Sequence, residues 1–214
     1  MEENEVVSRI EESKKFGSVA SSSWQAYTWK NELNEQNRRV AQMLEDALTD
    51  AATDHNPYHM LERAIGVAAI CMRRLIECRL VTDLFRESKL EVHEVSVKAN
   101  VDWREPFVTE TAGNIFNNYD LTSRQPKRRT PEMISDKMLH ARVIGVLSAS
   151  EYLPNGLLIA SDTQRKNHLF HFTPSEISNV FEAFLKDEVH HAEDGYLTSD
   201  GSFDGLQKVC AIRK

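Results

Sequence analysis

Between Trp24 and Asp50 the chain carries neither glycine nor proline, and Ala26, Trp29, Leu33, Val40, Met43 and Ala47 recur at three- and four-residue intervals. That spacing predicts one long amphipathic helix with an apolar stripe, on which Gln36 also falls. A break follows at Asp54-His55-Asn56-Pro57, where Asn56 suits a cap and Pro57 the first helical turn, because its missing N–H would have had no partner there. From Pro57 to about Phe85 apolar residues, among them Leu61, Ile65, Ala68, Met72, Leu75 and Leu84, cover most of the circumference of a second helix. The pair is expected to form an antiparallel hairpin with the second helix at the centre of the fold.

The period then changes. Leu90, Val92, Val95 and Val97 alternate with Glu91, His93, Glu94 and Lys98, which predicts a strand with an irregularity near Glu94. A less regular stretch with Trp103, Phe107, Ile115, Phe116 and Tyr119 follows, and a third helix is expected from Thr130-Pro131-Glu132 to about Leu147. Gly156–Ser161 and His168–Phe172 read as a hairpin around the polar turn 162–167. Directly after it, Thr173, Pro174 and Glu176 have the order of a capping box, with Phe172 and Ile177 at the staple positions, and Ile177, Val180, Phe181, Phe184 and Leu185 form the stripe of a fourth helix. These segments predict a helix-dominated α+β fold: four principal helices, a long antiparallel helical hairpin and a small three-stranded β element. Residues 24–190 form the single globular domain, between a flexible acidic leader, 1–23, and an acidic flexible tail, 191–214.

Composition changes this picture little. Hydrophobic residues at 41% and charged residues at 28% are those of an ordinary folded domain. Cys71, Cys78 and Cys210 lack paired spacing, which points to reduced thiols and a cytoplasmic setting. The apolar run Ala64–Met72 is far shorter than the ~20 residues of a bilayer span, so no membrane is expected. A net charge of −7 disfavours nonspecific binding to polyanions by the chain as a whole, while leaving room for a local basic patch.

Such a patch exists. Arg124, Lys127, Arg128 and Arg129 put four cations within six residues, in an expected loop just before the third helix, whose free N–H groups also favour an anion. A solvated loop is the plainer reading. On that helix His140 lies one turn beyond Asp136, a spacing at which a carboxylate can orient an imidazole for acid–base work, though a half-buried structural histidine would look the same. The other histidines suit a metal less well: Glu188 and His191 make a single Glu-x-x-His, His55 and His59 straddle Pro57, and His168 and His171 fall on opposite faces of a strand. No metal or cofactor is expected, and no Gly-rich phosphate loop, nucleophile elbow or Cys-x-x-Cys pair is present.

Four helices with an inserted β element, and a third helix carrying Ser135-Asp136-Lys137-Met138-Leu139-His140-Ala141, resemble the HEPN superfamily of small helical proteins. Many of its members are RNases of defence and toxin systems, and others are non-catalytic. Their motif is an arginine, often followed by a polar residue, then four to six residues, then a histidine; here Asp136 stands where the arginine would. Arg86 with His93 and Arg165 with His171 match the spacing elsewhere, as chance alone would produce. The resemblance implies binding, and in some members cleavage, of RNA, with Arg124, Lys127, Arg128 and Arg129 holding the strand and His140 and Asp136 at the chemistry. The alternative is a non-catalytic interaction module, or a homodimer joined through Trp24, Tyr27 and Trp29.

Overall fold

The structure, a computed structural model, describes residues 22–49, 57–101, 118–149 and 153–189, with short strand segments at 191–193, 196–197, 203–204 and 208–210. Residues 1–21 of the leader, the loop with His55, the anchors Trp103, Phe107, Ile115 and Phe116, and the side chains of Trp24, His191 and Cys210 lie outside the described residues, while Ser22 and Ser23 of the leader open the first helix.

Helix α1 (Ser22–Leu48) packs along α2 (Pro57–Glu77). The two run antiparallel, since Arg74 near the end of α2 lies over the ring of Trp29 near the start of α1. Leu33, Val40 and Leu44 are buried, and Gln36 on the same stripe is buried with its amide donating to Glu32. Leu61, Ile65, Ala68, Met72 and Leu75 of α2 are fully enclosed.

The second helix is shorter than its hydrophobicity predicts. It stops at Glu77, and a separate short helix, α3 (Asp83–Glu87), follows. Arg79 turns the chain with φ +54°, and the bonds Arg79 N–H to Ile76 O (3.2 Å) and Leu80 N–H to Leu75 O (2.8 Å) make a Schellman closure. Glycine usually occupies that left-handed position, so an arginine there hides the helix end from a reading of sequence.

Five strands then form one antiparallel sheet in place of the small three-stranded element: β1 (Leu90–Ser96), β2 (Gln125–Arg129), β3 (Ala141–Leu147), β4 (Gly156–Ser161) and β5 (His168–Phe172), in the order β2-β1-β5-β4-β3. Five α-helices, not four, occur among the described residues. Two expectations fail for identifiable reasons. The basic segment is a strand rather than a loop; it lies at the sheet edge, where Pro126 costs no ladder bond. The third helix, α4 (Pro131–Leu139), ends at His140, and Ala141–Leu147 continues as β3. That segment, Ala-Arg-Val-Ile-Gly-Val-Leu, has three β-branched residues that favour the pleated form, and its glycine disfavours a helix.

Strand pairing sorts side chains between two cores. One face carries Val92, Leu157, Ile159, Phe170 and Phe172 against α1, α2, α4 and α5 (Pro174–Lys186). The other carries Val95, Val143, Leu158 and Leu169 against Tyr119 and Leu153. With both faces covered, the odd phase of β1 needs no bulge: its pairing is regular, and Glu94 is buried on the helix side. The capping box of α5 is complete, with Thr173 Oγ1 accepting from Glu176 N and Glu176 accepting from Thr173 N. The last segments form two short ladders, β6 (His191–Glu193) with β9 (Lys208–Cys210), and β7 (Tyr196–Leu197) with β8 (Phe203–Asp204).

Ile65→Asp or Leu75→Asp is expected to abolish cooperative unfolding, because each buries an unpaired charge in the most enclosed helix. Thr173→Ala, which removes half of one cap, should cost about 1 kcal/mol. Urea denaturation followed by circular dichroism distinguishes the two; similar midpoints for both classes would contradict the central position of α2.

Candidate functional site

Helix α4 is held at both ends. Thr130 caps it by accepting from Met133 N at 3.2 Å, and Pro131 opens the first turn. His140 closes it, with its backbone N–H bonded to Asp136 O. Between this helix and the turn joining β4 to β5 lies a cleft of ≈ 650 Å³, with Thr130, Glu132, Met133, Asp136, Lys137 and His140 on one wall and Ser161, Asp162, Thr163 and Gln164 on the other. The two candidate acid–base residues, Asp136 and His140, therefore do face one cavity. They do not act on each other as spacing alone suggests: the Asp136 carboxylate pairs with Arg73 Nη1 at 2.8 Å, and Glu132 approaches the same guanidinium at 3.4 Å.

The chemically unusual groups lie beneath this cleft. Glu94 is buried on the inner face of β1, and the fork of Arg129 grips it from β2, Nε to Oε1 at 2.7 Å and Nη2 to Oε2 at 2.9 Å. Lys137 comes from α4 to the same carboxylate with its side chain only 3% exposed; Nζ stands 3.8 Å from Glu94 Oε1 and 3.8 Å from the centre of the Phe170 ring. Nζ also touches His168 Nε2, which in turn lies 3.2 Å from Glu94 Oε1. Burial, reinforced by the Arg129 charge and only partly opposed by Glu94, lowers the Lys137 amine to about 8. Burial and the Lys137 charge likewise hold His168 below the ordinary imidazole value.

A second network stands on the opposite face. Arg124 Nη2 reaches both oxygens of Glu176 at 2.7 Å, and Arg124 Nε donates to His171 Nδ1 at 2.8 Å. His93 Nδ1 lies 3.0 Å from Glu176 Oε1. Enclosure, together with the Arg124 charge, pushes His171 down to about 4, so its ring is a neutral acceptor at Nδ1. Arg124 therefore fastens the capping box of α5 to the sheet.

The four cations of the basic segment are thus divided. Arg124 and Arg129 serve these two ion pairs, whereas Lys127 and Arg128 are exposed. Alternation along β2 turns Lys127 and Arg129 to one face and Arg128 to the other. Among the described residues no group of three or more His, Cys, Asp or Glu side chains could hold a metal ion, and no helix is long and apolar enough to cross a membrane.

Sequence reasoning passed over Lys137, Glu94 and His168. A signal for the first two was present: Lys137 lies three residues from Ile134 on the buried stripe of α4, and Glu94 breaks the alternation of β1, so each is a charge on an apolar face. No family model, no curated protein and no solved structure matches the chain.

Arg129→Met should cost about 3 kcal/mol or more, because it strips Glu94 of its bidentate partner. Lys137→Met should be neutral or stabilising near pH 7, since it removes a buried cation that the carboxylate does not require. The Lys137 amine is lowered from 10.5 to about 8, so the unfolded chain binds more protons between those values, and wild-type stability rises across that window. The advantage of Lys137→Met over wild type should therefore shrink from pH 8 towards 10.5 in urea melts. An advantage that grew with pH would contradict the burial of a neutralisable amine.

Proposed function

We propose that this protein binds a small polar molecule rich in hydroxyl or amino donors, and that the cleft between α4 and the β4–β5 turn is its working site. The observation that carries the reading is the coincidence of this cleft with a titratable group far from its ordinary value: Lys137 lies in the wall, backed by His168 and Glu94. The lining indicates the class of ligand. Glu132, Asp136 and Asp162 contribute carboxylates, the first two paired with Arg73 and the third with Arg165, and the Gln164 amide oxygen has no hydrogen-bond partner, so a donating ligand fits the lining.

RNA is the second reading, and one observation favours it. The exposed pair Lys127 and Arg128 lies on β2, which runs directly into Thr130 and so brings a basic strand edge to the cleft whose far end His140 lines. An HEPN-like protein would use this edge to hold a strand, and His140 to cleave it, in a defence or toxin-type setting. A non-catalytic interaction role, including a dimer through α1, remains the reading if the cleft binds nothing; Tyr27 is 73% exposed there.

Titration of the full chain with erythritol, with an amino sugar and with a labelled oligoribonucleotide separates the readings. The small ligands should perturb NMR signals of Ser161, Gln164 and His140, and Gln164→Leu should weaken them up to about tenfold, the scale of one hydrogen bond. If RNA is the ligand, Lys127→Glu with Arg128→Glu should lower the slope of log affinity against log salt by ~1.4, at ~0.7 per phosphate contact. RNA binding with that slope change and no response to either small ligand would overturn the first reading.

A further inference from the structure

Beneath the cleft one carboxylate faces two cations, the buried Lys137 and the partly buried Arg129. Glu94 has both oxygens occupied by Arg129, and Lys137 approaches only one of them, at the longer distance of 3.8 Å. With Glu94 ionised and both bases protonated, the cluster holds one surplus positive charge, and of its two cations Lys137 is the one shut away from water. A guanidinium does not give up its proton in a protein, so the amine is the group that becomes neutral. The exposed Lys127, on the same face of β2, adds a further positive field at His168. A neutral primary amine is a nucleophile, and here it contributes to the wall of a cleft suited to hydroxyl-bearing molecules.

We propose that Lys137 forms an imine with a small hydroxy-aldehyde or hydroxy-ketone held in the cleft, with His168 as the proton carrier. The proposal rests on the reading of the cleft as a small-molecule site. The Nζ lone pair adds to the carbonyl carbon while the carbonyl π pair moves to oxygen, which takes up one of the two Nζ protons to give the carbinolamine. His168 Nε2, in contact with Nζ, removes one proton from the nitrogen, and Glu94 Oε1 at 3.2 Å stabilises the imidazolium so formed. The same proton then returns to the departing hydroxyl, a C=N bond replaces C–OH, and one water leaves. No oxidant or further reactant is required. Flexibility of the four-carbon stem lets the amine meet the carbonyl, and its near-complete burial favours small carbonyl compounds over bulky ones.

The test uses the full chain with glycolaldehyde and cyanoborohydride, and reads each lysine by peptide mass spectrometry across pH 6–10. Lys137 should be reduced to the secondary amine at least tenfold faster than exposed Lys89 and Lys166, with a half-maximal rate near pH 8, the value to which its amine is lowered. Pyridoxal, which is bulkier, should label the surface lysines instead, and erythritol should protect Lys137 in competition. His168→Gln should slow labelling at least tenfold without moving the melting temperature by more than a few degrees. Labelling spread over surface lysines with Lys137 unmodified overturns the proposal whether or not any variant folds. If erythritol still perturbs Ser161 and Gln164 while Lys137 stays unlabelled, the imine fails and the small-molecule reading stands; if erythritol does not bind either, both fall.

Discussion

The carboxylate of Glu94 is the point on which the architecture turns. A carboxylate moved from water into a protein interior is tolerated only when cations and donors surround it, and here the surroundings come from separate parts of the chain. Arg129 brings the edge strand β2, His168 the inner strand β5 and Lys137 the helix α4. Each arrives in the one register that presents its polar atom to the same oxygen pair. A slip of β2 by one residue would turn Arg129 to the opposite face and leave Glu94 unpaired, so electrostatics reinforces a pairing that the exposed, polar edge strand specifies weakly on its own.

The remaining polar network does a related task with a different outcome. Arg124 links Glu176, already committed to the cap of α5, to the neutral ring of His171 between the sheet strands. Here one cation meets one carboxylate, and the groups balance. Burial and hydrogen bonding from Arg124 then hold one fixed arrangement, whereas the cluster at Glu94 carries a cation in excess. The two sites therefore look alike in composition and differ in charge balance.

Much of this was legible along the chain where local rules act alone. The α1 stripe, the hairpin of β4 and β5, and the capping box at Thr173 depend on neighbours within a few residues, and they lie where spacing puts them. The failures share a different origin. Arg79 ends a helix in a conformation that glycine normally advertises; Ala141–Leu147 takes its strand form beside β4; and the basic segment becomes a strand because β1 offers it a partner. The site was half visible: His140 and Asp136 line the cleft, but the partners of Lys137 are 43 and 31 positions away in sequence, at Glu94 and His168, and only the sheet brings them together.

The turn at Arg79 has a further consequence. Its guanidinium Nη1 lies 2.7 Å from Asp83 Oδ1, and Asp83 is also held by Arg86 at 3.3 Å. A glycine would make the same reversal through backbone freedom alone, whereas arginine adds an electrostatic brace between the turn and α3. Dissolved ions weaken partly exposed braces of this kind within a Debye length of about 8 Å at physiological salt. The joint between the long helical pair and the start of the sheet is accordingly one whose stiffness is set by ionic strength as well as by packing.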